Sequence, residues 1–202
     1  VRARRQKHPA KPPEAWVATR LIAELFAGYE EGDPITVLDL GPGNASTLAF
    51  LSRFRAKIVF ADLLDNPALR HPDEDVSVAR AKEIIGQQLA VPTGMQFDIC
   101  LLWDYLHYLD IPTMEALSAV LQPLFHNNTR GYGFGTLHGK KPDDAYQYGI
   151  ADPAQLCGRP IPDEPQYRAH SQQRVGDHFL ALRIARGTLL RAGRLELLFE
   201  AP

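Results

Sequence analysis

Two cysteines in 202 residues do not make a disulfide framework, and the seven histidines show no metal-ligand spacing with them or with one another. Cys100 falls inside an apolar run and Cys157 in a polar stretch, a pattern that suits a reduced, cytoplasmic setting. No segment approaches the roughly 20 consecutive apolar residues of a membrane span. No apolar secretory core follows the start. Charge of one sign is not in excess either: 22 basic against 24 acidic side chains leave a net −2, which forces no nucleic-acid partner. Internal repeats and low-complexity tracts are absent. The chain begins with Val rather than Met, as a piece of a longer protein would.

The one departure from charge balance is the start. Val1 to Lys11 carries Arg2, Arg4, Arg5, Lys7 and Lys11 without hydrophobic periodicity. Residues 1–12 therefore read as a basic, flexible tail, with a phosphate-binding arm as the alternative. Residues 13–202, in a chain that is 45% apolar, are expected to form a single domain with a full core.

The most informative stretch is Ile35 to Ser46, ITVLDLGPGNAS. Ile35, Val37, Leu38 and Leu40 suit a buried parallel strand. Gly41 and Gly43 let the backbone turn tightly and approach a ligand, since neither has a Cβ. Ala45 to Phe54 then reads as a helix whose first N–H groups face the turn, an arrangement that binds anions. A second apolar run, Ile58 to Ala61, ends in Asp62, placed for the two hydroxyls of a ribose. Asp65 is a reserve carboxylate for the same role.

Elsewhere, Pro13 to Tyr29 is expected to be a helix, from the spacing of Trp16, Val17, Leu21, Ile22, Leu25 and Phe26. A helical stripe runs from Val78 to Leu89. A strand before it would have to lie in Asp75 to Val78 or be missing. Phe97 to Trp103, FDICLLW, is a buried strand that runs into Asp104-Tyr105-Leu106-His107-Tyr108. Asp110 and Pro112 mark a helix start, and Tyr132 to Leu137 a further strand. Residues 138–170 show no period and contain Pro142, Pro153, Pro160, Pro162 and Pro165, so a long loop is expected there. Ser171 to His178 reads as a short helix. Strands follow around Leu180–Ile184 and at Leu195–Phe199, joined through Ala192-Gly193.

This order of elements resembles the class I S-adenosylmethionine-dependent methyltransferases, over roughly Ala15 to Phe199. VLDLGPGNAS is similar to their first motif, IVFAD to their ribose-binding strand end, and FDICLLWDYLHYL to the strand that carries substrate-facing residues. The resemblance implies an α/β, Rossmann-like fold: a mostly parallel central sheet, helices on both faces and a C-terminal antiparallel strand pair. It implies S-adenosylmethionine as cofactor and methyl transfer to a small-molecule acceptor. Gly41, Gly43 and Asn44 would flank the methionine part, with Asp39 supporting the turn or the cofactor's amino group. Asp62 would hold the ribose. Asp104 and Tyr105 would face the transferring methyl. Ala45 stands where many members have a third glycine, and no adenine ligand is assigned.

His107, just past a strand end, is the general-base candidate, weighed against a core or capping role. His138 stands in the same relation to the next strand. His170 reads as a lid or surface residue, and Trp103 as core or a stacking platform. Tyr146, Tyr148 and Tyr167 are placed to close over a substrate or to pack on the surface, and Lys140-Lys141 as solvated. Two alternatives accompany the methyltransferase reading. One is a degenerate domain of the same fold, acting as a scaffold for a protein partner. The other is a nicotinamide dehydrogenase, since Asp62 follows Gly41 by 21 residues. Ser46 in place of a third glycine argues against the latter.

Overall fold

The computed structural model describes residues 15–70, 77–137, 139–143, 145–161, 163–190 and 194–202. The basic tail, Ala192-Gly193, His138 and Pro162 lie outside them. In chain order the strands and helices are β1 (Ala15–Ala18), α1 (Ile22–Leu25), β2 (Pro34–Asp39), α2 (Ala45–Leu51), β3 (Arg55–Phe60), α3 (Pro67–Arg70), α4 (Val78–Leu89), β4 (Phe97–Trp103), α5 (Ile111–Leu121), β5 (Phe125–Gly135), β6 (Tyr146–Asp152), β7 (Gln155–Pro160), α6 (Gln172–His178), β8 (Arg183–Leu189) and β9 (Leu195–Glu200).

The central sheet has the order β3-β2-β4-β5-β9-β8. β3, β2, β4 and β5 are parallel, while β9 runs antiparallel to both β5 and β8. This is the mostly parallel α/β sheet with an antiparallel terminal pair that the sequence predicts. β2 and β4 are read correctly because both are buried almost throughout, so they appear as continuous apolar runs. The chain leaves β2 toward β3 on one side, and β4 returns on the other. That reversal opens a crevice beyond the carboxyl ends of β2 and β4, where open α/β sheets bind ligands.

At the opposite end of these strands the polar groups are closed among themselves. Asp98 Oδ2 accepts from the Thr36 backbone N–H and the Thr36 hydroxyl, both at 2.7 Å, and Oδ1 meets His126 Nε2 at 3.0 Å. The helices start where their caps say. Ser77, Asp110 and Ser171 each accept a backbone N–H three residues on, at the starts of α4, α5 and α6.

Three expectations are corrected. Pro13–Tyr29 is not one helix: within its described part, β1 is followed by the four-residue α1. Leu21, Ile22, Leu25 and Phe26 are core, but Trp16 is 62% exposed because it belongs to a strand paired with β7. The region 138–170 is not a structureless loop. β6 and β7 form a hairpin that joins β1 in a separate three-stranded sheet, β1-β7-β6. The alternation is hidden because small residues stand where neighbours press in: a Cβ on Gly149 would lie 2.3 Å from the Asn44 side chain, and one on Gly158 2.9 Å from Tyr146. Lastly, β5 begins at Phe125 behind a polar stretch, and β8 begins at Arg183, after an exposed Leu180. Among the described residues no strand separates β3 from β4, and no helix is long and apolar enough to cross a membrane.

Candidate active site

The crevice at the switch point is an open cleft floored by Gly41, Pro42, Trp103 and Asp104. Asp62, Leu64, Asp65 and Arg70 line one side, and Tyr146, Gln147 and Tyr148 of the β6–β7 hairpin line another. The hairpin is seated on the start of α2. Ile150 donates its backbone N–H to Thr47 Oγ1 at 3.1 Å, and Asn44 lies against the bare Cα of Gly149.

Three carboxylates end three neighbouring strands, and each is treated differently. Asp39, at the end of β2, is fully buried. Its Oδ1 accepts from the Gly41 N–H at 2.8 Å and from the Trp103 indole N–H at 2.7 Å, while Oδ2 has no hydrogen-bond partner among the described residues. Burial pushes its pKa up to about 7, against the pull of those two hydrogen bonds. Asp39 therefore supports the turn, one of the two roles expected for it.

Asp62 follows β3 with φ 40 and ψ 53, a left-handed conformation uncommon for a non-glycine residue. Its N–H reaches Gly41 O at 3.3 Å, and its carboxylate lines the cleft with no hydrogen-bond partner among the described residues. Burial, and then the nearby Asp65, raise its pKa.

Asp104, just past β4, is 2% exposed. Its Oδ2 accepts from Arg194 Nη2 at 2.6 Å, and its Oδ1 has no hydrogen-bond partner among the described residues. Arg194 lies over the rings of Phe134 and Tyr148, 4.5 and 5.2 Å from their centroids. The preceding residue, Trp103, has φ 49, where β4 slips register against β5. Its indole stacks on Tyr148 with centroids 5.7 Å apart.

The glycines divide unequally. A Cβ on Gly41 would stand 3.1 Å from Asp39 Oδ1 and 3.3 Å from the Trp103 ring, so the turn needs glycine there. A Cβ on Gly43 would meet only Phe60, at 3.8 Å, and Gly43 is not among the residues lining the cleft. Asn44 caps α2 by accepting from Ser46 N–H at 2.8 Å and is buried under the hairpin. Tyr105 does line the cleft, and burial holds its phenol well above its ordinary pKa.

His107, the general-base candidate, is placed away from the cleft lining. The turn after Asp104 carries this side chain into the interior, where it is 1% exposed. Nε2 lies 3.0 Å from Phe134 O and Nδ1 3.3 Å from Arg168 O, so both ring nitrogens face backbone carbonyls. Burial lowers its pKa. A neutral imidazole has one N–H to offer these two acceptors, and neither nitrogen is turned to the cleft. His170 is also internal, with Nε2 2.8 Å from Leu109 O. Sequence reasoning missed Arg194 and Arg70, for which no local pattern exists: Arg194 meets its partner across 90 residues.

No protein-family model matches the chain, and no curated protein matches it. Solved structures do. DesVI of Streptomyces venezuelae superposes with a TM-score of 0.50 at 13% identity, over 91% of this chain and 93% of that one. A putative O-methyltransferase from Nostoc punctiforme PCC 73102 gives 0.49 at 19%, over 90% of this chain but only 55% of its own length. An S-adenosylmethionine-dependent methyltransferase from Clostridium acetobutylicum ATCC 824 gives 0.46 at 11%, over 85% of each. This chain thus spans about half the length of the Nostoc protein. At such identities the likeness is one of fold. The chain has a mostly parallel, Rossmann-like α/β fold.

Proposed function

We propose that this chain transfers a methyl group from S-adenosylmethionine to a small-molecule acceptor. The observation that carries the reading is Asp62: a carboxylate with no hydrogen-bond partner among the described residues, at the tip of the strand beside the glycine turn, facing a cleft at the switch point. Such a group suits the paired hydroxyls of a ribose. The Gly41-Pro42 backbone would lie along the methionine part, and Asp39 would hold that turn in shape. The cofactor supplies an electrophilic methyl on a positively charged sulfur. The protein's part is to orient the acceptor in line with it and to exclude water, for which a near-attack separation of ~3–3.5 Å is enough. Asp104 and Tyr105 stand at the floor and wall where an acceptor would lie, and His107 takes no part.

One observation favours the non-catalytic alternative. The hairpin over the cleft is anchored to α2 through Thr47 and Asn44, as a permanently closed scaffold would be. Titration calorimetry with S-adenosylmethionine, S-adenosylhomocysteine and NAD decides among the readings. The first two should bind and NAD should not. Asp62→Ala should weaken S-adenosylhomocysteine at least tenfold, because charge-assisted hydrogen bonds are worth about 1.5–3 kcal/mol each. No binding of either sulfur compound would sink the methyltransferase reading and favour a scaffold for a protein partner. Binding of NAD alone would restore the dehydrogenase.

A further inference from the structure

We infer that the acceptor is an amine, held against an aromatic wall and oriented by the free oxygen of Asp104. The inference rests on the methyltransferase reading above. Trp103, Tyr105, Tyr108, Tyr146 and Tyr148 all line the cleft, and so do three carboxylates: Asp62 and Asp65 on the side read as the ribose site, and Asp104 at the floor. Arg70 is the one cationic side chain among the described lining residues, and its Nη2 donates to the Asp163 carbonyl. Ring faces and carboxylates attract positive charge and give a phosphate or carboxylate acceptor little to bind.

Asp104 gives the wall a direction. Arg194 occupies Oδ2 at 2.6 Å, and Phe134 and Tyr148 hold the guanidinium in place. Oδ1 is left buried and without a donor among the described residues. A buried acceptor atom with no partner is expected to meet a donor from elsewhere. An N–H of an amine is such a donor.

The chemistry agrees. A neutral amine attacks with its own lone pair. The N–C bond forms as the C–S bond breaks, and the electrons of that bond stay on sulfur. Positive charge passes from sulfur to nitrogen, so the cleft holds one positive charge throughout, and the surplus proton leaves to water afterwards. A hydroxyl would have to lose its proton as the new bond forms. His107 is turned away from that task, and burial keeps the Tyr105 and Tyr148 phenols protonated.

The test uses the N,N-dimethylbenzylammonium cation, which carries one N–H for Asp104 to accept, and its neutral isostere isobutylbenzene. Each is titrated into protein saturated with S-adenosylhomocysteine, and quenching of tryptophan fluorescence is read. Trp103 is buried beside the cleft, while Trp16, the other tryptophan, is 62% exposed and can be discounted with an aqueous quencher. The cation should bind at least tenfold more tightly than the isostere without displacing S-adenosylhomocysteine. Asp104→Asn should weaken it at least fivefold. Because that change leaves Arg194 unbalanced, Tyr146→Leu on the half-buried hairpin wall provides a second variant with the same expected loss. Equal affinity for the two probes, or no saturable binding of the cation while S-adenosylhomocysteine binds normally, overturns the amine assignment and leaves the methyltransferase reading intact. Competition between the cation and S-adenosylhomocysteine would mean that the wall serves the cofactor's own charge, and overturns it too. Failure of S-adenosylhomocysteine to bind removes both readings together.

Discussion

The two ends of β4 carry acids of the same kind in opposite circumstances. Asp98, near its start, spends both oxygens on Thr36 and His126 and ties β2, β4 and β5 together. Among the described residues, Asp104, past its end, leaves one oxygen without a hydrogen-bond partner, as do Asp39 with one oxygen and Tyr148 with its hydroxyl. Left-handed residues, Asp62 and Trp103, occur at this second end as well. A protein selected for stability alone has no reason to leave so much unsatisfied on one edge. Strain and unpaired polar atoms collect where a ligand will meet them.

The contrast can be broken most violently at Arg194. Arg194→Met removes the counter-charge from a buried carboxylate, and breaking such a pair costs about 3–5 kcal/mol. Urea unfolding should show that loss, and a change below 1 kcal/mol would mean that Asp104 relaxes into solvent. Next is Asp39, where the sign is reversed. With a folded pKa of about 7 against an ordinary value of 3.8, the folded chain keeps a proton that the unfolded chain sheds between those pH values. Stability should therefore fall as pH rises from about 4 to 7. Asp39→Asn keeps the accepting oxygen and abolishes the ionisation. It should stabilise the protein at pH 8 by on the order of 2–4 kcal/mol, with the gain fading toward pH 4. A variant that is destabilised equally at both pH values would show that the carboxylate, not burial, governs this turn. The smallest effect is expected at the roof. Gly149→Ala pushes a methyl into the fixed Asn44 side chain, an overpacking of about 1–3 kcal/mol. Hydrogen exchange at the Ile150 amide should quicken. Unchanged protection would show that the hairpin and α2 move as one body.

The sequence makes one of these ends far more legible than the other. β2, β3, β4 and β9 announce themselves through apolar runs, and Asp110 and Ser171 announce their helices through caps. Asp62 is legible because a strand tip is a topological position that the sequence pattern reveals. Whether a tip residue faces outward is not. His107 follows its strand as Asp62 follows its own, yet one turn of 3-10 helix carries it inward to the Phe134 and Arg168 carbonyls. The hairpin escaped because Gly149, Gly158 and Cys157 interrupt its apolar pattern where Asn44 and Tyr146 need room. Arg194 escaped because nothing near it in sequence hints at Asp104.

The position of β9 has a consequence for how the chain is made. It lies between β5 and β8, yet it is the last strand of the sheet to be synthesised. Until it emerges, β5 presents a bare edge able to pair with another chain. At ~5–20 residues per second, the stretch from the end of β5 to the start of β9 takes roughly 3–12 s to translate. Through that interval Asp104 has no guanidinium, because Arg194 leads β9. The nascent chain thus holds its glycine turn and Asp62 long before the far wall of its cleft exists, and the site closes with the final strand.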